Sequence, residues 1–343
     1  MTAEILPTHT PALFQAAVRR ATEALCAGEV VALPTETVYG LAANALNEKA
    51  VAKIFQIKGR PANNPIIVHI ASVEMAKGCV ASWPANADKL ANAYWPGPLT
   101  LVLPRTKEIP DIVTAGGPTV GVRWPSHPLI QAVIRKCDFP LAAPSANLSG
   151  QISPTTAEHV RKQLSGKISL IVDGGPSQVG IESTVLDLTP LLRTKAGPPE
   201  ILRPGIIHAE SLAAVCGEVQ SSKFKVQSSD STLRSPGLLE RHYAPKAKLA
   251  ILSWRDGADL RRQLATRDPS LITCHVIAHT IIPSAENFAN VCVIPHDAEA
   301  FARAIYAELH RGDEAGADWI VVEAPPALPE WSAIADRLRR ASR

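Results

Sequence analysis

Between Leu33 and Ile70 the chain fits a strand, a hydroxyl-rich loop, an amphipathic helix, a turn and a second strand into one unbroken stretch. The first strand ends in Pro34-Thr35-Glu36-Thr37. In the helix, about Glu48 to Ile57, Val51, Ile54 and Phe55 recur at helical spacing and mark a buried face. Lys58, Gly59 and Arg60 stand at its exit. Asn63-Asn64-Pro65 then turns the chain into a strand, Ile66 to Ile70, that carries His69. Two cations separated by a small residue, beside hydroxyls and amides at strand ends, make a candidate anion pocket.

The remainder alternates in the same way. Thr10-Pro11 caps a first helix that Gly28 ends. Further strands are expected at Val30–Leu33, Leu99–Leu103, Thr119–Trp124, Leu141–Ala143, Leu170–Asp173, Ser183–Leu188 and Ile201–Arg203, with helices at Ala85–Tyr94 and His127–Cys137 and from Ser153 onward. Strands alternating with helices predict an α/β layered fold. From Gly217 the composition turns serine-rich and linker-like. A second alternation begins near Lys248, with buried parallel strands at Leu249–Leu252, Leu271–Ile277, Val291–Ile294 and Trp319–Val322, and helices from Asp297 and Trp331. At 343 residues two domains are expected. We divide the chain into a catalytic domain, 1–216, a linker and active-site lid, 217–247, and a small doubly wound parallel-sheet domain, 248–343.

Charge and motif content narrow the function. The net charge is only +3, so any nucleic-acid contact must be a local basic patch. The N-terminus lacks the basic start and apolar core of a secretory signal, and no apolar run is long enough to span a bilayer, so a cytoplasmic protein is expected. Six cysteines without a C-x-x-C pair read as reduced, buried thiols. A P-loop, a G-x-G-x-x-G and a G-x-S-x-G elbow are all missing. Cys274, His275, His279 and His296 fit no strong metal template, since Cys274 and His275 would face opposite sides of a strand.

Taken singly, the candidate residues also have plain structural readings. Lys58-Gly59-Arg60 suits a solvated helix C-terminus. Ser145-Ala146-Asn147 follows a strand broken at Pro144, a common place for binding groups in α/β sheets. Ser153, ahead of an expected helix, serves equally well as an N-cap or as a phosphate ligand. Arg123 on a strand requires an anion, either a structural Asp or Glu or a substrate carboxylate. His69 reads alone as a core histidine, and Ser183 as an ordinary strand hydroxyl.

Their order and spacing together resemble the YrdC-type threonylcarbamoyl-AMP synthase family in its long form. The resemblance runs through Pro34-Thr35-Glu36-Thr37-Val38-Tyr39-Gly40, Lys58-x-Arg60-Pro61, Asn64-Pro65, Trp95-Pro96-Gly97-Pro98-Leu99-Thr100, Val122-Arg123, Ala143-Pro144-Ser145-Ala146-Asn147, Glu182-Ser183-Thr184, Leu202-Arg203-Pro204-Gly205 and His242-Tyr243-Ala244-Pro245. Leu238, Leu239 and Glu240 depart from the family's usual linker. The resemblance implies a YrdC-like twisted mixed sheet flanked by helices, a linker and a small Rossmann-like domain.

It also implies a nucleotidyltransferase reaction, in which L-threonine, bicarbonate and ATP give threonylcarbamoyl-AMP, pyrophosphate and water. The product supplies the threonylcarbamoyl-adenosine modification of tRNA through downstream transferase machinery. On that resemblance Thr37, His69, Arg123, Ala143 and Ser183 surround threonine. Arg60, Asn64, Thr119, Ser145, Asn147, Ser153, Arg203 and Tyr243 surround ATP, and Lys58 and Arg60 act catalytically. Magnesium would arrive on the ATP phosphates, without protein side-chain ligands, and Tyr243 would belong to a lid. Two rivals stand beside it: a carbamoyl-adenylate-forming enzyme of hydrogenase maturation, which carries zinc-binding cysteine pairs that this chain lacks, and a non-catalytic RNA-binding module with a basic concave surface.

Overall fold

A computed structural model of the chain describes residues 3–194, 196–221, 234–236, 242–268, 273–284, 286 and 288–343. The chain forms two compact units, one of Met1–Ser149 with Ser153–Leu239, the other of Gly150–Ile152 with Glu240–Arg343. Of the expected linker, 222–233 and 237–241 lie outside the described residues, and Leu238, Leu239 and Glu240 with them.

The first unit holds eleven strands among its described residues: β1 (Glu4–Pro7), β2 (Val31–Leu33), β3 (Gly40–Asn44), β4 (Val68–His69), β5 (Leu99–Pro104), β6 (Thr119–Arg123), β7 (Leu141–Ala142), β8 (Leu170–Asp173), β9 (Thr184–Asp187), β10 (Glu200–Arg203) and β11 (Gln220–Ser221). They make one mixed sheet in the order β1-β8-β2-β3-β7-β4-β6-β5-β9-β10-β11. The helices are α1 (Pro11–Cys26), α2 (Glu48–Lys58), α3 (Val73–Cys79), α4 (Ala85–Tyr94), α5 (Asp111–Thr114), α6 (Pro128–Cys137), α7 (Ala157–Leu164) and α8 (Ala209–Cys216).

Alternation along β2 sends Val31 and Leu33 toward Ala21 and Leu25 of α1 and Ile130 of α6, while Ala32 joins Val51 and Ile54 of α2 on the other face. Each such large aliphatic side chain contributes about 1.5–3 kcal/mol by leaving water. Helix α2 begins where Asn47 accepts a hydrogen bond from the Ala50 amide, 3.2 Å. It ends at Gly59, whose φ of 60° lies in the left-handed region where glycine is least strained. These two caps fix where Lys58 and Arg60 emerge.

Three expectations change. Gly40–Asn44 is a fully engaged strand, antiparallel to β2, although its small residues show no alternation. Burial between two neighbours decides it, and Gly40 admits Ala143, whose Cβ would lie 3.3 Å from a Cβ added there. Helix α7 starts at Ala157 rather than at Ser153, because Thr156 supplies the cap to the His159 amide. Finally, β1, α3, α5 and α8 went unread, being short or lacking a strong apolar period.

The second unit contains β12 (Lys248–Leu252), α9 (Gly257–Arg267), β13 (Cys274–Ala278), β14 (Asn290–Val293), α10 (Ala298–Glu314), β15 (Trp319–Glu323) and α11 (Ser332–Ala341). The four strands among its described residues are all parallel, in the order β12-β15-β13-β14. Leu260 and Leu264 of α9 pack on Ala250, Cys274, Val276 and Val321. Gly312 of α10 lies against Ile320 and His275 on the opposite face. Helices therefore cover both sides, and the second unit is a doubly wound sheet. Cys274 and His275 do face opposite ways.

Candidate active site

The signature residues fall on the end of α2, on β4, β6 and β10, and on the loops between them, and hydrogen bonds tie these segments together. Lys58 is only 3% exposed, which rules out the solvated helix end. Its Nζ donates to the carbonyls of Ser145 and Asn147, 2.5 Å each, locking the exit of α2 to the loop after β7. Burial, and then the neighbouring Arg60 charge, hold its pKa well below the usual lysine range. Arg60 turns back over the following turn. Its Nε donates to Asn64 O, 3.0 Å, and its Nη2 to Asn64 Oδ1, 2.7 Å, and to Pro65 O, 2.6 Å.

A second cluster forms where β4 and β6 run parallel, with His69 and Arg123 in register. Arg123 is buried. Its Nε donates to Gly97 O, 3.3 Å, and its Nη1 to Thr37 Oγ1, 2.9 Å. The Glu36 carboxylate stands 2.7 Å from Nη2, so the structural acid that the sequence left open is present. The Thr35-Glu36-Thr37 loop is strapped by Val179 N to Glu36 O, 2.7 Å, by Gly180 N to Thr37 O, 3.1 Å, and by Ser177 Oγ to Thr35 O, 3.0 Å. Burial, reinforced by the Arg123 charge, pushes the His69 pKa down to about 3, so its imidazole is neutral near pH 7. Ala143 donates its amide to Ile67 O, 3.1 Å, beside the same strands.

Arg203 organises a third cluster. Its Nε and Nη2 donate to Ser183 O at 3.1 and 3.0 Å, Nη2 also to Ser183 Oγ, 3.1 Å, and Nη1 to Pro236 O, 3.3 Å. Ser183 Oγ is 2.8 Å from Thr100 Oγ1. Gly205 follows because a Cβ there would collide with the Thr184 backbone. Ser153, which does not cap a helix, donates to the Glu182 carboxylate at 2.5 Å. Arg234 pairs with buried Asp187 and with Glu200.

A cavity of about 320 Å³ lies beside the first and third clusters, lined among others by Pro65, Thr100, Thr119, Ser235 and Pro236; of the site residues expected from the sequence, Thr119 lines it, and His69 and Arg123 do not. Arg60 and Arg203 thus bind carbonyls of two lining residues, and Ser183 binds a third lining residue. Tyr243 falls in the second unit, buried against Tyr306 with ring centroids 5.8 Å apart, and with the Arg337 guanidinium 5.5 Å from its ring. The motifs flagged Glu36, Thr100 and Glu182 without a role for any of them; a buried acid in a loop beside a strand, or a hydroxyl in an apolar strand, was the available signal. Arg234 had none.

The fold and site define a two-unit α/β protein in which half-buried Arg60 and buried Arg203 each bind a carbonyl in the wall of one cavity. A family model described as "Telomere recombination", spanning Sua5, YciO and YrdC proteins, matches residues 23–205. A model described as the threonylcarbamoyl-AMP synthase C-terminal domain matches 207–343. The chain is 40% identical over 316 residues to the threonylcarbamoyl-AMP synthase of Pyrococcus abyssi, covering 92% of this chain and 91% of that one. It is 41% identical over 342 residues to that of Bacillus subtilis, covering 98% and 94%. The solved structure of P. abyssi Sua5 complexed with L-threonine matches at a TM-score of 0.88 and 36% identity, over 100% of this chain and 98% of that chain. The chain therefore belongs to the threonylcarbamoyl-AMP synthase family, in the long form with a C-terminal domain.

Proposed function

We propose that this protein is a threonylcarbamoyl-AMP synthase that acts as a nucleotidyltransferase, converting L-threonine, bicarbonate and ATP to threonylcarbamoyl-AMP, pyrophosphate and water. The product would supply threonylcarbamoyl groups to a tRNA-modifying transferase in the cytoplasm. Among the described residues, no helix is long and apolar enough to cross a membrane.

One observation carries this reading. Arg60 and Arg203, from distant parts of the chain, each anchor a carbonyl in the wall of the same 320 Å³ cavity. Cations fixed in advance around a cavity stabilise charge that develops on phosphate oxygens without reorganising during reaction. In this scheme Arg60, with Asn64, Thr119, Ser145, Asn147, Ser153 and Arg203, surrounds the nucleotide, and Lys58 keeps the two loops in register. The Arg123 fork takes the threonine carboxylate, with Thr37, His69, the Ala143 backbone and Ser183 around the amino acid. Neutral His69 offers one donor and one acceptor rather than a charge. The amine of threonine attacks bicarbonate, and the resulting carbamate attacks the α-phosphorus. Both attacking groups come from substrates, so the side chains orient and no protein nucleophile is needed.

Among the described residues, no three His, Cys, Asp or Glu side chains gather as metal ligands. In this reading magnesium would be carried by phosphate oxygens and water and would neutralise triphosphate charge. The test is mass-spectrometric detection of threonylcarbamoyl-AMP from purified protein with each substrate omitted in turn. Product that forms without threonine, or none with all three substrates, would overturn the proposal.

A further inference from the structure

Glu36 is a buried acid that the scheme above leaves without a task. Its side chain is 7% exposed, and Oε1 stands 2.7 Å from Arg123 Nη2. Yet neither carboxylate oxygen, nor Nη2 itself, makes a hydrogen bond of good geometry. A purely structural buried pair needs such bonds to offset desolvation. The loop, not the arginine, holds Glu36 in place, through Val179 N to Glu36 O and Ser177 Oγ to Thr35 O. Arg123 is likewise fixed from elsewhere, through Gly97 and Thr37. The charge of Glu36 also reaches His127, although burial outweighs it and lowers that imidazole's pKa.

An α-amino acid at neutral pH presents an anion and a cation on one carbon. Recognising both takes a cation and an anion side by side, each with polar atoms left for the substrate, as the two Glu36 oxygens and Arg123 Nη2 are. We propose that Glu36 and Arg123 form a zwitterion-recognition pair, Arg123 taking the α-carboxylate and Glu36 the α-ammonium, so that the substrate exchanges one internal ion pair for two of its own. This rests on the threonine reading above and extends it to a residue that selects α-amino acids over simple hydroxy acids.

The experiment is calorimetric titration of wild-type protein and Glu36→Gln with L-threonine and with 3-hydroxybutyrate, which keeps the carboxylate and hydroxyl but lacks the ammonium. Glu36→Gln should weaken L-threonine by about tenfold or more, the scale of one charge-assisted hydrogen bond, and leave 3-hydroxybutyrate no weaker, since its carboxylate no longer competes with Glu36 for Arg123. Unchanged threonine affinity, or equal loss for both ligands, overturns the proposal. Should the Gln variant fail to fold, Glu36→Asp, with its charge drawn back, must weaken threonine more than 3-hydroxybutyrate; equal weakening overturns the proposal. Pyrophosphate release by the wild type is followed in parallel. A wild type that binds threonine but releases no pyrophosphate defeats the synthase reading alone, whereas one that binds no threonine defeats both.

Discussion

Both units bury charge, but they dispose of it differently. In the second unit, Asp336 is surrounded by Arg337, Arg339 and Arg340 along α11. Burial alone would raise its pKa, but the arginines outweigh that and hold it below the usual carboxylate range. The Glu323 carboxylate accepts the amides of His279, Thr280 and Ile281 at the end of β13. In the first unit, by contrast, the buried Glu36 carboxylate stands against Arg123 with neither oxygen satisfied by a hydrogen bond. A buried carboxylate engaged by several donors marks architecture, while one left without any is available to a further partner.

The strongest challenge to this contrast is Asp336→Ala. It removes the carboxylate that faces buried Arg337 and Arg340, and the second unit should lose roughly 3–5 kcal/mol, read as a lowered denaturation midpoint. A change under ~1 kcal/mol would remove the distinction, since such a small loss is typical of exposed ion pairs. Arg60→Ala should act on the other axis. It should cut threonine-dependent pyrophosphate release by about 10²–10³-fold, as expected for a lost charge-stabilising donor, with only a small shift in melting temperature. Retained turnover would deny it a phosphate role.

Acid should sharpen the comparison further. The folded pKa of His69 is depressed from 6.5 to about 3, so between those values the unfolded chain binds the extra proton. Its contribution is fully present above about pH 6.5 and is lost as the pH falls toward about 3. Melting temperature measured against pH should fall over that window, and His69→Gln should flatten the fall. An unaltered slope would show that other groups govern acid stability. The smallest expected effect is Asn47→Ala, which removes the α2 cap and should cost about 1 kcal/mol in chemical denaturation. No change in the denaturation midpoint would show that the cap does not set where Lys58 emerges.

The sequence already carried much of this. Helix α4 spans Ala85–Tyr94 as its period required, and α2 and the parallel strands of the second unit were legible from spacing and caps. β3 was not, because Gly40, Ala42 and Ala43 carry little apolar pattern and are made strand only by the neighbours that bury them. Ser153 misled because Ser-Pro-Thr offers several equivalent caps, and only the tertiary partner Glu182 decides between them. At the site, residue types pointed to anion binding, but the partner of each cation could not be read from order along the chain. Arg123 next to Glu36 and Arg203 next to Ser183 are meetings that only the folded sheet arranges.

Lys58 has one more consequence. Its single ammonium grips two carbonyls on a loop 87 residues further along the chain, while its own carbonyl receives the Ser149 amide at 2.9 Å. The two loops therefore share one hinge pin and move as one part. A ligand that displaces either loop must break these three hydrogen bonds or carry the other loop with it.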